Sequence, residues 1–391
     1  MSARILPVLA VLALAVLIAT AYIYAGSKRP ESHAASIVAE CSHTENHEQC
    51  YESLVPLLYP EMNVPQLFEV IRTIRLADPT YQFCHVLAHK IGERVVAEDP
   101  ERWIDAIPLN PASGYCSNGF IHGVVGGRFR SEVLDTKTIE TFLPDFKRAC
   151  ESRDGWSPSD LDRAICYHGM GHLYDFITNA DLSLALNLCE RTTTAQFHRV
   201  CVEGVFMQIF QPLEPDDFAL IEQMKVKPTP DSYRRFCASF KNDVYVGACL
   251  REAWPMLPGV LDGTGIAELC AGQPNTELED FCYQTAFSIV GRVKQGQPEN
   301  QANACDRAPE SRRNTCYSIV ANAILEEDRT DAPGAVSFCG RAPKPRECLE
   351  YLVNSARFNF GYNTGQFERF CSALPEDVEA QCRQKLSAPR S

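Results

Sequence analysis

The chain has 391 residues, of which 45% are hydrophobic and 22% are charged, and its formal net charge is −13. These values predict a mostly folded chain, with room for two or three domains or for one long repeat array. They exclude nucleic acid as a partner, because binding to a phosphate backbone requires a dense basic surface.

An apolar segment without charged residues extends from Ile5 to Gly26. A helix of this length crosses a hydrocarbon layer of about 30 Å. We therefore predict a signal anchor, or transmembrane helix, over residues 1–26 and a tether over residues 27–38. The alternative is a cleaved signal peptide, for which the small residues around Ala19 and Ala21 offer a cleavage site.

The cysteines place the folded part outside the cytoplasm. There are 18 of them, and no C-x-x-C sequence occurs, which argues against zinc ribbons and thioredoxin-like sites. Most form pairs by their spacing, namely 41/50, 150/166, 189/201, 237/249, 270/282, 305/316, 339/348 and 371/382. An even number of regularly spaced cysteines indicates disulfides in an oxidising compartment, so we predict a single-pass membrane protein that folds on the periplasmic or extracellular side. Cys84 and Cys116 either pair with each other or provide a thiolate.

The second cysteines of the pairs, together with Cys84 and Cys116, recur with a period of about 33 residues. A run with helical periodicity follows each of them, such as "CYSIVANAIL" at Cys316, and a shorter helical run precedes each first cysteine. The segments between the paired cysteines are polar and turn-prone. The pattern predicts an all-α fold, a right-handed superhelix of about ten helical hairpins stapled by disulfides. It does not say whether the array closes on itself.

This arrangement is similar in outline to the cysteine-rich Sel1-like and TPR-like repeat proteins. The resemblance lies in the architecture of stapled helical hairpins and implies no particular activity. Within the array we predict a histidine-bearing block over residues 39–212 and a second block over residues 213–391. The proposed boundary coincides with the proline-rich segment 211–230, and no histidine follows His198.

Five of the nine histidines follow three successive cysteines of the repeat, namely His85, His89, His122, His168 and His172. Four of them form two pairs, His85/His89 and His168/His172, in which the two residues are four positions apart. The members of each pair therefore share one helix face, which is a normal arrangement for binding a metal. Six positions after the repeat cysteine the sequence reads His122, His172 and then Met207, whereas the first pair lies one residue out of phase. Glu203 occupies the position equivalent to His168.

We therefore predict a site for a transition metal ion, either zinc, copper or iron. Its predicted ligands are His85, His89, His122, His168, His172 and Glu203, and Glu203 is also the candidate general base. Tyr167 and Asp175 are candidates for orienting the ligands. Two alternatives remain, a histidine-lined pocket without metal and buried histidines that specify packing. Glycines three residues after the cysteines, at Gly119, Gly169 and Gly204, indicate close approach of helices or of a ligand.

Two functions from different classes fit these patterns. The first is a membrane-anchored extracytoplasmic metalloprotein, a metal-dependent hydrolase or oxidase. The second is a non-catalytic scaffold whose polar concave face binds a peptide or protein partner. The residues predicted for that face are Glu203, Arg251, Gln284, Asn322 and Asn354.

Overall fold

A computed structural model of the protein describes residues 29–81, 83–129, 132–361 and 364–387. Within these ranges the chain forms 21 α-helices and no strands, which confirms the all-α prediction. The proposed anchor over residues 1–26 lies outside the described residues. Among the helices that are described, none is long and apolar enough to cross a bilayer.

The described residues divide into two compact units, one that ends at Leu87 and one that begins at Ala88. The first contains α1 (Pro30–Cys41), α2 (His47–Leu54) and α3 (Val64–Ala77). Asn63 and Gln66 form a capping box that starts α3, and its apolar face packs against α1. The next helix, α4 (His85–Glu98), begins at the end of this unit and continues into the second.

The second unit contains the remaining helices, which follow one another along the chain as successive hairpins. They are α5 (Trp103–Ala106), α6 (Gly119–Phe129), α7 (Thr136–Arg148), α8 (Asp160–Ile177), α9 (Leu182–Thr192), α10 (His198–Phe210), α11 (Pro215–Glu222), α12 (Tyr233–Cys237), α13 (Asp243–Glu252), α14 (Ile266–Cys270), α15 (Thr276–Val293), α16 (Pro298–Arg307), α17 (Arg313–Glu327), α18 (Ala332–Cys339), α19 (Pro345–Phe360), α20 (Thr364–Ser372) and α21 (Glu376–Ser387).

The polar segments between paired cysteines start the second helix of each hairpin. Asn275 accepts a hydrogen bond from the main-chain N–H of Leu278 and so begins α15, and Asn242 begins α13 in the same way. Such caps satisfy backbone donors that have no partner within the helix. In these two hairpins the turn-prone residues between the cysteines therefore act as helix starts.

The disulfides hold the hairpins as predicted. All eight pairs proposed from spacing are present, with Cα–Cα distances between 5.4 and 5.7 Å. Cys84 and Cys116 are also disulfide-bonded, and the described residues include no free cysteine. The alternative that these two cysteines provide a thiolate is therefore wrong.

The second helices of successive hairpins form a closed circuit within the second unit. Contacts run from α8 to α10, then to α13, α15, α17 and α19, and α19 packs against α8 again. At the closure, the main-chain N–H of Arg329 donates to the carbonyl of Ser113, and its side chain donates to the carbonyl of Ala112. The predicted block boundary between residues 212 and 213 falls inside this circuit. The right-handed superhelix of about ten hairpins stays a prediction.

Candidate metal centre

The histidines lie on three helices of the repeat. His85 and His89 lie on α4, His122 lies on α6, and His168 and His172 lie on α8. The ring centroids of His89 and His122 are 5.4 Å apart, and those of His168 and His172 are 4.9 Å apart. His122 lies between these neighbours, at 5.6 Å from His168 and 5.7 Å from His172. All five side chains are half-buried.

Three of these histidines meet the geometric requirement for sharing an ion. One ring nitrogen each of His85, His89 and His122 lies within 4.8 Å of the other two. His85 is on the first turn of α4, one turn before His89 on the same continuous helix. Tetrahedral zinc with nitrogens at about 2.0–2.1 Å separates its ligand atoms by about 3.4 Å. Small side-chain rotations therefore bring the three nitrogens to coordinating distance.

Glycines allow the histidine helices to approach so closely. A Cβ atom added to Gly123 of α6 would lie 2.0 Å from the main-chain oxygen of His89. One added to Gly204 of α10 would lie 2.1 Å from the main-chain oxygen of His168, and one at Gly169 would lie 2.7 Å from Cδ2 of His122. The predicted close approach is thus present at Gly169 and Gly204. At Gly169 it makes room for an imidazole of the cluster itself.

Hydrogen bonds determine which ring nitrogen carries the proton. Nδ1 of His89 lies 3.3 Å from Oε1 of Glu214, Nε2 of His122 lies 3.0 Å from the carbonyl oxygen of Ile165, and Nδ1 of His172 lies 2.8 Å from Oε1 of Gln208. Carboxylate and carbonyl oxygens only accept, so each of these nitrogens donates. In a neutral imidazole the other nitrogen then carries the lone pair that a metal requires.

Glu214 is a functional candidate that the sequence analysis missed. It precedes α11, is 3% exposed, and contacts Lys90 as well as His89. Although burial opposes the charge of Lys90, its hydrogen bond to Glu214 raises the pKa of that amine. Glu214 lies in the proline-rich segment 211–230, where the sequence predicts the boundary between the two blocks, and no residue spacing connects it with α4. A carboxylate on a metal-ligating histidine is the usual support for such a ligand.

Glu203 has a different environment from the one predicted for it. Its Oε1 lies 2.8 Å from Nη2 of Arg251 and 2.9 Å from Nη1 of Arg199. Burial favours the neutral carboxyl, but the two arginines outweigh it and hold the pKa of Glu203 below its usual value. The carboxylate is thus neutralised by two cations. Its role as ligand and general base stays a prediction.

The two residues proposed to orient the ligands have other surroundings. The Tyr167 hydroxyl donates to Glu151, and its ring stacks on Phe197 at 5.3 Å. Asp175 is fully buried, and its carboxylate oxygens have no hydrogen-bond partner among the described residues. Burial raises the pKa of Asp175 well above its usual value. The contact that orients His172 comes instead from Gln208 on α10.

Most polar side chains on the face predicted to bind a protein partner form hydrogen bonds with other side chains of the same chain. Glu203 and Arg251 are buried and paired with each other. Asn322 donates to Glu326 and accepts a hydrogen bond from Asn359. Gln284 and Asn354, the remaining members of the face, are exposed. Partner binding along this face stays a prediction.

Comparison with known protein families, curated proteins and solved structures finds no match to this chain. The class of the protein is therefore described from its fold alone: it is an all-helical protein with nine disulfide-bonded cysteine pairs. Its distinguishing feature within that class is the cluster of half-buried histidines on α4, α6 and α8.

Proposed function

We propose that this chain is an extracytoplasmic metal-binding protein whose centre is formed by His85, His89 and His122. The observation that carries the proposal is the approach of their ring nitrogens to within 4.8 Å of one another. Glu214 and the carbonyl of Ile165 support it, because they hold two of the rings in tautomers with a lone pair left for the ion.

Three imidazoles leave the fourth tetrahedral position to water or to a substrate. Zinc sites of this composition generate hydroxide near neutral pH, and imidazole also suits copper and iron. We therefore extend the proposal to a metal-dependent hydrolase or oxidase, with the reaction centred on the ion. The residues that bind the ion are the part of this proposal that can be tested first.

The disulfides are the observation that supports a location outside the cytoplasm. The disulfides support an oxidising compartment, because thiols in a reducing cytosol do not persist as structural pairs. Attachment to a membrane through residues 5–26 is proposed from the sequence alone. Fractionation of cells would test it, and recovery of the chain in the soluble extracytoplasmic fraction, shortened at its N-terminus, would indicate a cleaved signal instead.

Elemental analysis tests the metal centre directly. The purified full-length chain, loaded with zinc and freed of excess ion, should retain zinc that a His89→Ala/His122→Ala variant does not retain. His43→Ala is the matched control, because His43 is exposed and lies outside the cluster. Zinc at 100 times its dissociation constant should also stabilise the parent chain by about 2.7 kcal/mol. Equal zinc content in the parent and the double variant would exclude the proposed ligands.

A further inference from the structure

We infer a second metal position in the same cluster, formed by His168, His172 and the thioether of Met207, with Cu(I) as its ion. The inference deepens the proposed function and rests on it, since both positions belong to one group of imidazoles. It assigns different ligand chemistry to the two ends of the cluster. One end offers nitrogen alone, and the other adds a soft sulfur.

The geometry places His168 next to both of the other side chains. Its Nε2 lies 3.1 Å from the sulfur of Met207 on α10, where it donates a hydrogen bond that an ion bound by both atoms would replace. The rings of His168 and His172 follow one another at one turn of α8, with centroids 4.9 Å apart. The two helices carrying these groups meet along a glycine contact in which Gly171 faces the carbonyl of Cys201. The sulfur and the imidazoles therefore lie on two closely packed helices.

Met207 does not behave as an ordinary core methionine. Methionine commonly fills gaps in apolar cores. However, its neighbours Val205 and Phe206 are fully buried, whereas Met207 is half-buried. The contact of its sulfur with Nε2 of His168 assigns the thioether to the side of α10 that carries the histidine contacts. Gln208, which is 5% exposed, holds the next ring in place.

The repeat register gives the same answer independently. Six positions after Cys116, Cys166 and Cys201 the chain has His122, His172 and Met207. Successive hairpins thus place imidazole, imidazole and thioether at one equivalent position. A thioether is a soft ligand that suits Cu(I), whereas the usual protein ligands of zinc are thiolate, imidazole and carboxylate.

The second position carries no negative charge, because His168, His172 and Met207 are neutral and Glu203 on α10 is engaged by Arg199 and Arg251. The three imidazoles of the first position are neutral as well. The soft sulfur, and not the charge, therefore distinguishes the second position from the first. His122 lies between the two positions, so the second site adjoins the first.

The test is an anaerobic Cu(I) titration of the full-length chain against a chromogenic chelator, bathocuproine disulfonate. The parent chain should retain two equivalents of Cu(I), and Met207→Leu should lose one of them with unchanged zinc content. X-ray absorption should detect a sulfur neighbour of copper in the parent chain that is missing in Met207→Leu. Met224→Leu is the matched control, because Met224 is equally half-buried but lies outside the cluster.

A second variant keeps the test independent of any packing defect. Met207→His places a third imidazole at the register position, and we expect it to keep the fold, lose the sulfur signal and gain a second zinc equivalent. Two copper equivalents in Met207→Leu, or a parent chain whose bound copper has no sulfur neighbour, would overturn the inference. If zinc still binds at His85, His89 and His122 in that case, the proposed function stands. Failure of the parent chain to bind either ion overturns both.

Discussion

Replacing Gly169 by alanine should disturb the metal centre through a single contact. The new Cβ would lie 2.7 Å from Cδ2 of His122, whereas ordinary contacts of this kind are 3.4–4 Å. The ring cannot simply rotate away, because its Nε2 donates to the carbonyl of Ile165. The imidazole therefore has to shift relative to its partners on α4.

The expected loss of affinity is large compared with the change in stability. Metal ligands have to be held to within about 0.5 Å of their productive geometry. Disturbing the support of one ligand typically costs about 10- to 100-fold in affinity. Alanine is favoured over glycine in a helix by about 1 kcal/mol, and this gain offsets the cost of shifting the His122 ring. The metal-free variant should therefore unfold at nearly the same denaturant concentration as the parent chain.

Gly171→Ala provides the contrasting variant on the same helix. Its Cβ would lie 2.1 Å from the main-chain oxygen of Cys201, which no side-chain rotation can relieve. The two helices would have to separate, and overpacking of this kind costs about 1–3 kcal/mol or more. Zinc competition titrations and chemical denaturation of both variants check the reasoning. Parent-like zinc affinity in Gly169→Ala would refute the placement of His122 in the centre.

Three further substitutions test other parts of the structure. Glu214→Gln should lower zinc affinity about 10- to 100-fold in a competition titration, because an amide no longer imposes the tautomer of His89; unchanged affinity would contradict this role. Burial and the nearby Glu203 raise the pKa of Glu252 to about 8, so stability present below pH 4.5 declines as the pH rises towards 8. Glu252→Gln should flatten that decline, by at most about 1.4 kcal/mol per pH unit, and an unaltered pH profile of unfolding would count against it. At Asp78 burial opposes ionisation, but hydrogen bonds from Thr80, Tyr51 and His47 lower the pKa to about 2, so its stabilisation is present above pH 3.8 and is lost as the pH falls towards 2. Asp78→Asn should therefore cost about 1–3 kcal/mol at pH 7 and little at pH 2, as measured by denaturant unfolding at the two pH values.

The features that could be predicted from sequence are those encoded locally or by the repeat. Cysteine spacing predicted eight of the disulfides, because the loop between each pair of cysteines is short and helix signals flank it. The histidine cluster could be foreseen because equivalent positions of neighbouring hairpins lie side by side. His85 and His89 lie one residue closer to their repeat cysteine than the equivalent positions of the next hairpins do, and the reason is local. Helix α4 begins at His85, directly after Cys84, whereas Cys116, Ser117 and Asn118 form a left-handed turn before α6 begins.

The features that escaped prediction depend on contacts between distant segments. Glu214 reaches His89 across 125 residues of sequence, from a segment without any repeat signal. Gln208 and Met207 lie next to each other on α10, and only the packing of α8 against α10 shows which ring each one contacts. Glu203 matched the register, but its partner Arg251 comes from α13, 48 residues later. Periodicity predicts which face a residue occupies and cannot predict its partner.

The closing contact of the circuit has a consequence for the order in which the chain is assembled. Eight of the disulfides join cysteines 9 to 16 residues apart, so oxidation of these eight can finish hairpin by hairpin. Arg329 instead reaches a carbonyl 217 residues earlier, and it also binds Ser159 and Asp162 at the start of the helix that carries two of the histidines. We therefore expect metal loading to follow release of the complete chain. A chain truncated after Glu327 should contain its local disulfides and yet hold zinc weakly, which disulfide mapping and elemental analysis of the same preparation would measure.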